Sequence, residues 1–186
     1  QLTEELWETA YADQVKLIAL DHPDSVEVFV DERFVPPGPV NLRLFRVAHK
    51  QLPLSATDER GADVLPALRE SDDIYVSNFT PTKYQGVVEP HELVLDLGPD
   101  AGRPDSFLFL RGWIYPTDAS INVALAQQSE IKVAAPSLEV RDASGKWRTA
   151  IPNLSFPSGK DKTMVIDLAG KFPTRDHHVR IRTSMQ

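Results

Sequence analysis

The stretch that decides the fold runs from Phe107 to Ala126 and reads FLFLRGWIYPTDASINVALA. It begins with an apolar run typical of a buried strand, which is interrupted at Gly112 and ends at Pro116, since proline donates no backbone N–H to a sheet. A turn of small polar residues and a second apolar run follow. We interpret the stretch as the buried middle of a β-sandwich, and we expect the ring of Trp113 to lie in its core.

Length and composition set limits on the architecture. The chain has 186 residues, which fits one large domain, and we take residues 1–186 as a single β-sandwich domain. Its 15 prolines against 9 glycines predict many short elements and no long helices. The sequence therefore indicates an all-β protein.

Alternation of apolar and polar residues, the pattern of a strand with one face in water, recurs along the chain. The predicted strands are 13–20, 25–31, 41–47, 92–97, 137–141, 146–151, 163–168 and 178–185, with a short edge strand at 74–76. We expect more than a third of the residues to be in strands. We also expect Asp13–Leu20 to pair with Val179–Met185, because long alternating edges must be covered or paired.

Local turn and helix signals complete the predicted elements. Asp142 to Gly145 forms a hairpin turn, because aspartate can bond its own backbone and glycine accepts a positive φ. Helix is expected only near the N-terminus and after Gly61, where residues 62–71 place apolar side chains near helical spacing.

Charge and composition exclude several classes of partner and chemistry. The formal net charge of -7 would repel nucleic acid at long range. The sequence contains no cysteine, so it has no disulfide framework, thiol catalysis or cysteine-ligated zinc. No apolar run approaches the ~20 residues that span a bilayer. We expect neither a nucleic-acid partner nor a membrane-spanning segment.

Histidines, acidic residues and a segment similar to a phosphate loop are present, but their spacing does not fit a metal site or a phosphate-binding loop. The five histidines, His22, His49, His91, His177 and His178, show no i, i+2 or i, i+4 ligand pair. The acidic residues Asp21, Asp24, Glu27, Asp31 and Glu32 lack the alternating pattern of a calcium loop, so a solvated acidic face is expected. Ser158–Thr163 lacks the upstream glycine of a phosphate loop and precedes a strand. We therefore assign no catalytic residue, no metal ligand and no cofactor.

Aromatic side chains are the remaining functional candidates. Carbohydrate sites use aromatic platforms, although most tryptophan and phenylalanine side chains in a sandwich are expected in the core. The aromatic residues considered are Trp7, Tyr11, Phe34, Tyr75, Phe79, Tyr84, Trp113, Tyr115, Trp147, Phe156 and Phe172. Which of them bind a ligand is left open by the sequence.

Several separated motifs resemble a known family. They are Glu8–Leu17, Asp21–Pro23, Asp31–Phe34, Arg111–Gln127 and Phe156–Thr163. Together they are similar to a C-terminal region of bacterial secreted proteins that carry FG-GAP or ASPIC/UnbV-type repeats. The resemblance implies a galactose-binding-like jelly roll in an exported, extracellular or periplasmic protein, of which this chain is a fragment. It carries over no catalytic residue.

Two functions follow as expectations. The first is a non-catalytic binding module that docks on neighbouring repeat domains of its own chain or holds a carbohydrate. The alternative is a glycan-active hydrolase with paired carboxylates, whose mark would be two carboxylates about 5 to 10 Å apart beside an exposed tryptophan. A single aromatic groove would instead favour binding.

Overall fold

The computed structural model describes residues 13–14, 16–33 and 43–186. Within them, nine strands and one α-helix follow one another in the chain. The strands are β1 Glu27–Val30, β2 Leu44–Val47, β3 Ser55–Asp58, β4 Val87–Asp96, β5 Phe107–Gly112, β6 Ser137–Arg141, β7 Trp147–Ile151, β8 Lys162–Asp167 and β9 His178–Met185. The helix α1 is Ala119–Ala126, and two 3-10 turns lie at Leu65–Leu68 and Pro99–Gly102. The protein is all-β in the main, as the sequence predicts.

The strands form one large and two small antiparallel sheets. The five-stranded sheet has the order β3-β4-β9-β6-β7, so the last strand of the chain lies at its centre. The small sheets pair β1 with β2 and β5 with β8. Because β9 pairs with β4 on one side and β6 on the other, the C-terminal strand has no free edge.

The hydrophobic core lies between the large sheet and the β5–β8 pair. Leu95, Leu138 and Val179 come from the large sheet, and each is at most 2% exposed. They cluster with Ile166 and with Leu168, which directly follows β8. Apolar side chains on alternate positions of facing strands bury one another in this way.

The two faces of β5 have different neighbours. Leu108 and Leu110 pack against the core cluster. The alternate residues, Phe107 and Phe109, meet the rings of Phe45 and Phe29 at centroid distances of 5.3 and 5.0 Å. The β1–β2 pair therefore covers the face of β5 that looks away from the core.

The hairpin of β6 and β7 is confirmed. Asp142 accepts backbone hydrogen bonds from Ser144 at 2.8 Å and Lys146 at 3.1 Å, and Gly145 has φ of +77°. The local turn chemistry that predicts the hairpin is the chemistry that closes it. The short helical turn expected after Gly61 is likewise present, at Leu65–Leu68.

The prediction for the N-terminal strand is wrong. The described residues of 13–20 lie outside any strand, and Leu17 is 92% exposed. They cannot pair with Val179–Met185, because β4 and β6 occupy both edges of β9. The helix expected near the N-terminus falls on residues outside the described part of the chain.

Three further expectations are corrected. The second apolar run of the opening stretch forms the helix α1, which Asp118 caps by accepting the Ile121 N–H at 2.8 Å. Helix is therefore not confined to the two places predicted. Residues 74–76 form no strand, and strands take up slightly less than a third of the described residues. Long connecting loops account for the shortfall.

No helix in the described ranges combines the length and the apolar character needed to cross a membrane.

Candidate functional site

An open groove of about 450 Å³ lies at the end of β5, and we call it the Trp113 groove. Its lining residues are Asp73, Tyr75, Trp113, Gly159, Lys160 and Asp161. Three chain segments meet there: the loop before β4, the residues that leave β5, and the loop that enters β8. The groove thus combines two aromatic rings with charged side chains.

Trp113 reaches the groove because of strand alternation. Leu108, Leu110 and the buried Gly112 occupy one face of β5, so Trp113 continues the face of Phe109 and Arg111. In the described part of the chain, the ring contacts between the β1–β2 pair and that face are made at Phe107 and Phe109. Trp113 is accordingly 37% exposed, and the expectation that its ring lies in the core is wrong.

The backbone on both sides of Trp113 is fixed. Gly112 has a positive φ of 157°, which favours glycine. On the other side, the Ile114 N–H donates to the Pro157 carbonyl at 2.7 Å, and the Gly159 N–H donates to the Ile114 carbonyl at 3.2 Å. The parallel bridge between Ile114 and Ser158 joins the two loops. These bonds hold Trp113 and the 159–161 loop at a constant spacing.

The two aromatic rings of the groove meet edge to face. The ring centroids of Tyr75 and Trp113 are 4.8 Å apart, with 82° between the ring planes. This arrangement is favoured by the quadrupoles of the rings, and it orients the indole. A ring that is oriented and partly exposed is suited to pack against an apolar ligand surface.

Arg111 organises the polar side of the groove. Its Nε donates to both carboxylate oxygens of Asp161, at 3.1 and 2.8 Å, and its Nη2 also donates to that carboxylate. Its Nη1 donates to the Ser71 hydroxyl. The guanidinium therefore ties the loop before β4 to the loop that enters β8.

The charges in and beside the groove shift the pKa of two side chains, Tyr75 and Arg111. Burial and, after it, the negative charge of Asp161 raise the pKa of Tyr75. The hydrogen bonds to Asp161 raise the pKa of Arg111. Asp73 acts in the same direction on both groups. Tyr75 is thus a neutral hydroxyl at physiological pH, and Arg111 is a fixed cation.

The second tryptophan in the described range has a different setting. The guanidinium carbons of Arg141 and Arg180 both lie 4.8 Å from the ring centroid of Trp147. Arg180 in turn donates to Glu139 at 2.6 Å and to Glu92 at 3.0 Å. Trp147 is a partner of this ion-pair ladder, whereas Trp7 lies outside the described residues.

The histidines do not form a joint site. His178 Nδ1 lies 2.6 Å from Asp176, and His177 Nδ1 lies 2.8 Å from the Gly98 carbonyl oxygen. The ring of His91 packs on Phe79 at 4.2 Å, and burial lowers the pKa of His91. Each of these three rings has its own local partner.

The acidic residues of the first strands are also dispersed. Glu27 pairs with Lys50 at 2.8 Å, and Asp31 binds the Arg33 guanidinium. Glu32 accepts the Thr163 backbone N–H at 2.7 Å. Among the described residues, no group of three or more histidine, cysteine, aspartate or glutamate side chains is placed to hold a metal ion.

From the sequence, Tyr75 is one member of a list of aromatic candidates and the ring of Trp113 is expected in the core. Asp161 stands between Lys160 and Lys162, which predicts a surface turn. Asp161 does lie in a loop, but the loop faces Arg111 across the β5–β8 pair. One signal was available. Arg111 interrupts the apolar run at a position that alternates with Leu110, so the face it shares with Trp113 had to reach water at that end.

No family model matches the chain, and neither a curated protein nor a solved structure matches it.

Proposed function

We propose that this protein is a non-catalytic carbohydrate-binding module and that the Trp113 groove is its binding site. The observation that carries the proposal is the exposed, oriented ring of Trp113 in a groove with charged side chains. A pyranose ring presents apolar C–H groups on one face and hydroxyls at its edge. It therefore fits a site that combines an aromatic surface with hydrogen-bonding groups.

Each polar group has a role in this proposal. The carboxylate oxygens of Asp73 and Asp161 accept hydrogen bonds from sugar hydroxyls, and the Tyr75 hydroxyl can donate one or accept one. The Arg111–Asp161 pair holds the carboxylate in place before the ligand arrives. A pre-formed site loses less conformational entropy on binding.

The alternative, a glycan-active hydrolase, has one observation in its favour, because two carboxylates border a groove that contains tryptophan. The state of Asp161 weighs against it. Arg111 engages both oxygens of that carboxylate, so Asp161 is poorly placed to act as a nucleophile or to donate a proton. Binding without turnover is the better-supported function.

The setting of the module is a second part of the proposal. The packed layers of strands fit a β-sandwich of the jelly-roll, galactose-binding-like kind. The motif resemblance supports an exported bacterial protein with FG-GAP or ASPIC/UnbV-type repeats. In that setting, docking on the repeat domains is the competing use of the surface. The exposed apolar side chain of Val123 on α1, 56% accessible, favours it.

Binding is tested with defined polysaccharides. Soluble β-glucan, galactan, mannan and xylan are each cast into native gels, and retardation of the protein is measured. Hits are then titrated by calorimetry. We expect one or more of these polymers to bind, and Trp113→Ala to weaken binding by about tenfold or more, since aromatic anchors carry most of the energy of such contacts.

Tyr115→Ala is the matched control. Tyr115 is 45% exposed and two residues from Trp113, but it does not line the groove. Its substitution is expected to leave retardation unchanged. Equal losses for both variants, or no binding by the wild type, would contradict the proposed site. Release of reducing sugar by the wild type would favour the hydrolase instead.

A further inference from the structure

The charges of the Trp113 groove bear on which sugars it accepts, an inference that rests on the proposed function. Anionic sugars, those with uronic acid or sulfate groups, are usually recognised by arginine, whose planar fork matches a carboxylate or sulfate. The groove has an arginine at its side, so the state of that arginine is decisive.

The Arg111 guanidinium is already occupied. Nε and Nη2 both donate to Asp161, and Nη1 donates to Ser71. Asp161 already takes the Nε–Nη2 side of this fork, so a sugar carboxylate could engage that side only by displacing Asp161, and the displaced charge would stay in the groove. Lys160, which lines the groove, also interacts within the chain. In the described part of the chain, the two cations at the groove, Arg111 and Lys160, thus both already have interactions with the protein itself.

The acidic side chains at the groove also disfavour an anionic ligand. Asp73 is exposed at the groove, and its charge acts on both Tyr75 and Arg111, so it lies close to the place where a ligand would sit. Asp161 is the second carboxylate of the lining. The whole chain carries a formal net charge of -7, which repels a polyanion before contact.

We infer that the Trp113 groove selects uncharged sugar units and excludes uronic-acid and sulfated sugars. The carboxylates accept hydrogen bonds from hydroxyls, which neutral and anionic sugars both supply, so the charges of Asp73 and Asp161 make the difference between the two. A neutral sugar supplies the hydroxyls without placing a like charge beside Asp73.

The experiment compares each neutral polymer with its own carboxymethylated derivative, so that linkage and monomer stay the same. Affinity is measured by calorimetry at 20 mM and at 500 mM NaCl. For every neutral polymer that binds, we expect carboxymethylation to weaken binding by about tenfold or more at low salt. The difference should shrink at high salt, because screening shortens the reach of the repulsion.

Asp73→Asn identifies the source of the discrimination. Asparagine keeps a hydrogen-bond acceptor and removes the charge, so the ratio of the affinity for the neutral polymer to the affinity for its carboxymethylated derivative should fall. Both affinities are measured on the variant itself, so a change in neutral binding does not enter the comparison. Asp105→Asn is the control. It makes the same change of charge in the loop before β5, at the opposite end of that strand from the groove. The difference in affinity between neutral and carboxymethylated polymer should stay the same.

The outcomes separate this inference from the function on which it rests. Equal or tighter binding of the carboxymethylated polymer would overturn the charge selection and leave carbohydrate binding standing. The inference would also be overturned if Asp73→Asn and Asp105→Asn reduced the difference in affinity between neutral and carboxymethylated polymer equally. The preference for neutral polymer would then come from the net charge of the protein and not from the groove. Failure of every neutral polymer to bind would overturn both proposals.

Discussion

Trp113 and Trp147 are both partly exposed, but their rings are used in different ways. Two guanidinium groups cover the ring of Trp147, and the ladder Glu92–Arg180–Glu139 fixes one of them. Trp113 meets one tyrosine edge to face and borders open space. Partial exposure of a tryptophan ring therefore does not by itself mark a binding residue. A binding role also requires that other side chains of the protein do not already cover the faces of the ring.

The largest expected effect concerns stability and separates the core from the groove. Leu138 is fully buried in the large sheet, so Leu138→Ala should lower the free energy of unfolding by about 3–5 kcal/mol through lost transfer energy and the cavity left behind. Trp113→Ala should cost about 1–2 kcal/mol, because part of that ring is already in water. Urea unfolding measures both.

Leu17→Ala serves as the control for the core substitution. Leu17 is 92% exposed, and its truncation should change stability by less than about 0.5 kcal/mol. A Trp113→Ala cost as large as that of Leu138→Ala would mean that Trp113 belongs to the core after all.

The next effect tests whether Trp147 is structural. Arg180→Met removes the cation between Glu92 and Glu139, whose side chains are 26% and 12% exposed. We expect a loss of about 2 kcal/mol, less than for a fully buried pair, because water screens Glu92 in part. Urea unfolding followed by tryptophan fluorescence measures it.

Arg148→Met is the matched control, since Arg148 is an exposed arginine on the same strand as Trp147. It should leave stability nearly unchanged. Equal stability of the Arg180→Met protein and the wild type would show that the ladder does not hold Trp147, and the contrast between the two tryptophans would weaken.

The smallest effect concerns the helix that follows the groove segment. Hydrogen bonds from the Ile121 backbone N–H and then the Ser120 hydroxyl lower the pKa of Asp118. Its stabilising contribution is therefore present in full above the ordinary aspartate pKa and is lost as pH falls through the lowered value. The thermal midpoint of Asp118→Asn should lie slightly below that of the wild type at pH 7.

That difference in midpoint should vanish once the wild-type carboxylate is protonated. Asp105→Asn makes the same change of charge in an exposed loop. Its difference in thermal midpoint from the wild type should not shrink in this way as the pH is lowered. A constant offset between Asp118→Asn and the wild type at every pH would contradict the role of the ionised cap.

The parts of the fold that sequence predicts are those that local chemistry decides. The β6–β7 hairpin is closed by Asp142 and Gly145, which stand within the turn itself. The helix α1 also has a local signal in the sequence, the cap residue Asp118 before the apolar run of 121–126. The strand predicted at 13–20 has the pattern of a strand but no partner. Pairing is a tertiary property that alternation cannot supply.

The candidate site depends even more on distant contacts. Tyr75, Trp113 and Asp161 come from three separated segments, and each has an ordinary structural interpretation in isolation. The exposure of Trp113 follows from where the β1–β2 pair stops covering β5. That boundary is set by the packing of two sheets. The alternation in β5 therefore shows which residues share a face, but not which part of that face another sheet covers.

The most direct test of the carbohydrate site observes the indole groups themselves. The protein is labelled with ¹⁵N-tryptophan, the indole N–H resonances are assigned with Trp113→Phe and Trp147→Phe, and oligosaccharides of the neutral polymer that binds best are titrated in. We predict that the Trp113 resonance shifts in a saturable manner while that of Trp147 stays in place. A shift of Trp147 with Trp113 unmoved would contradict it.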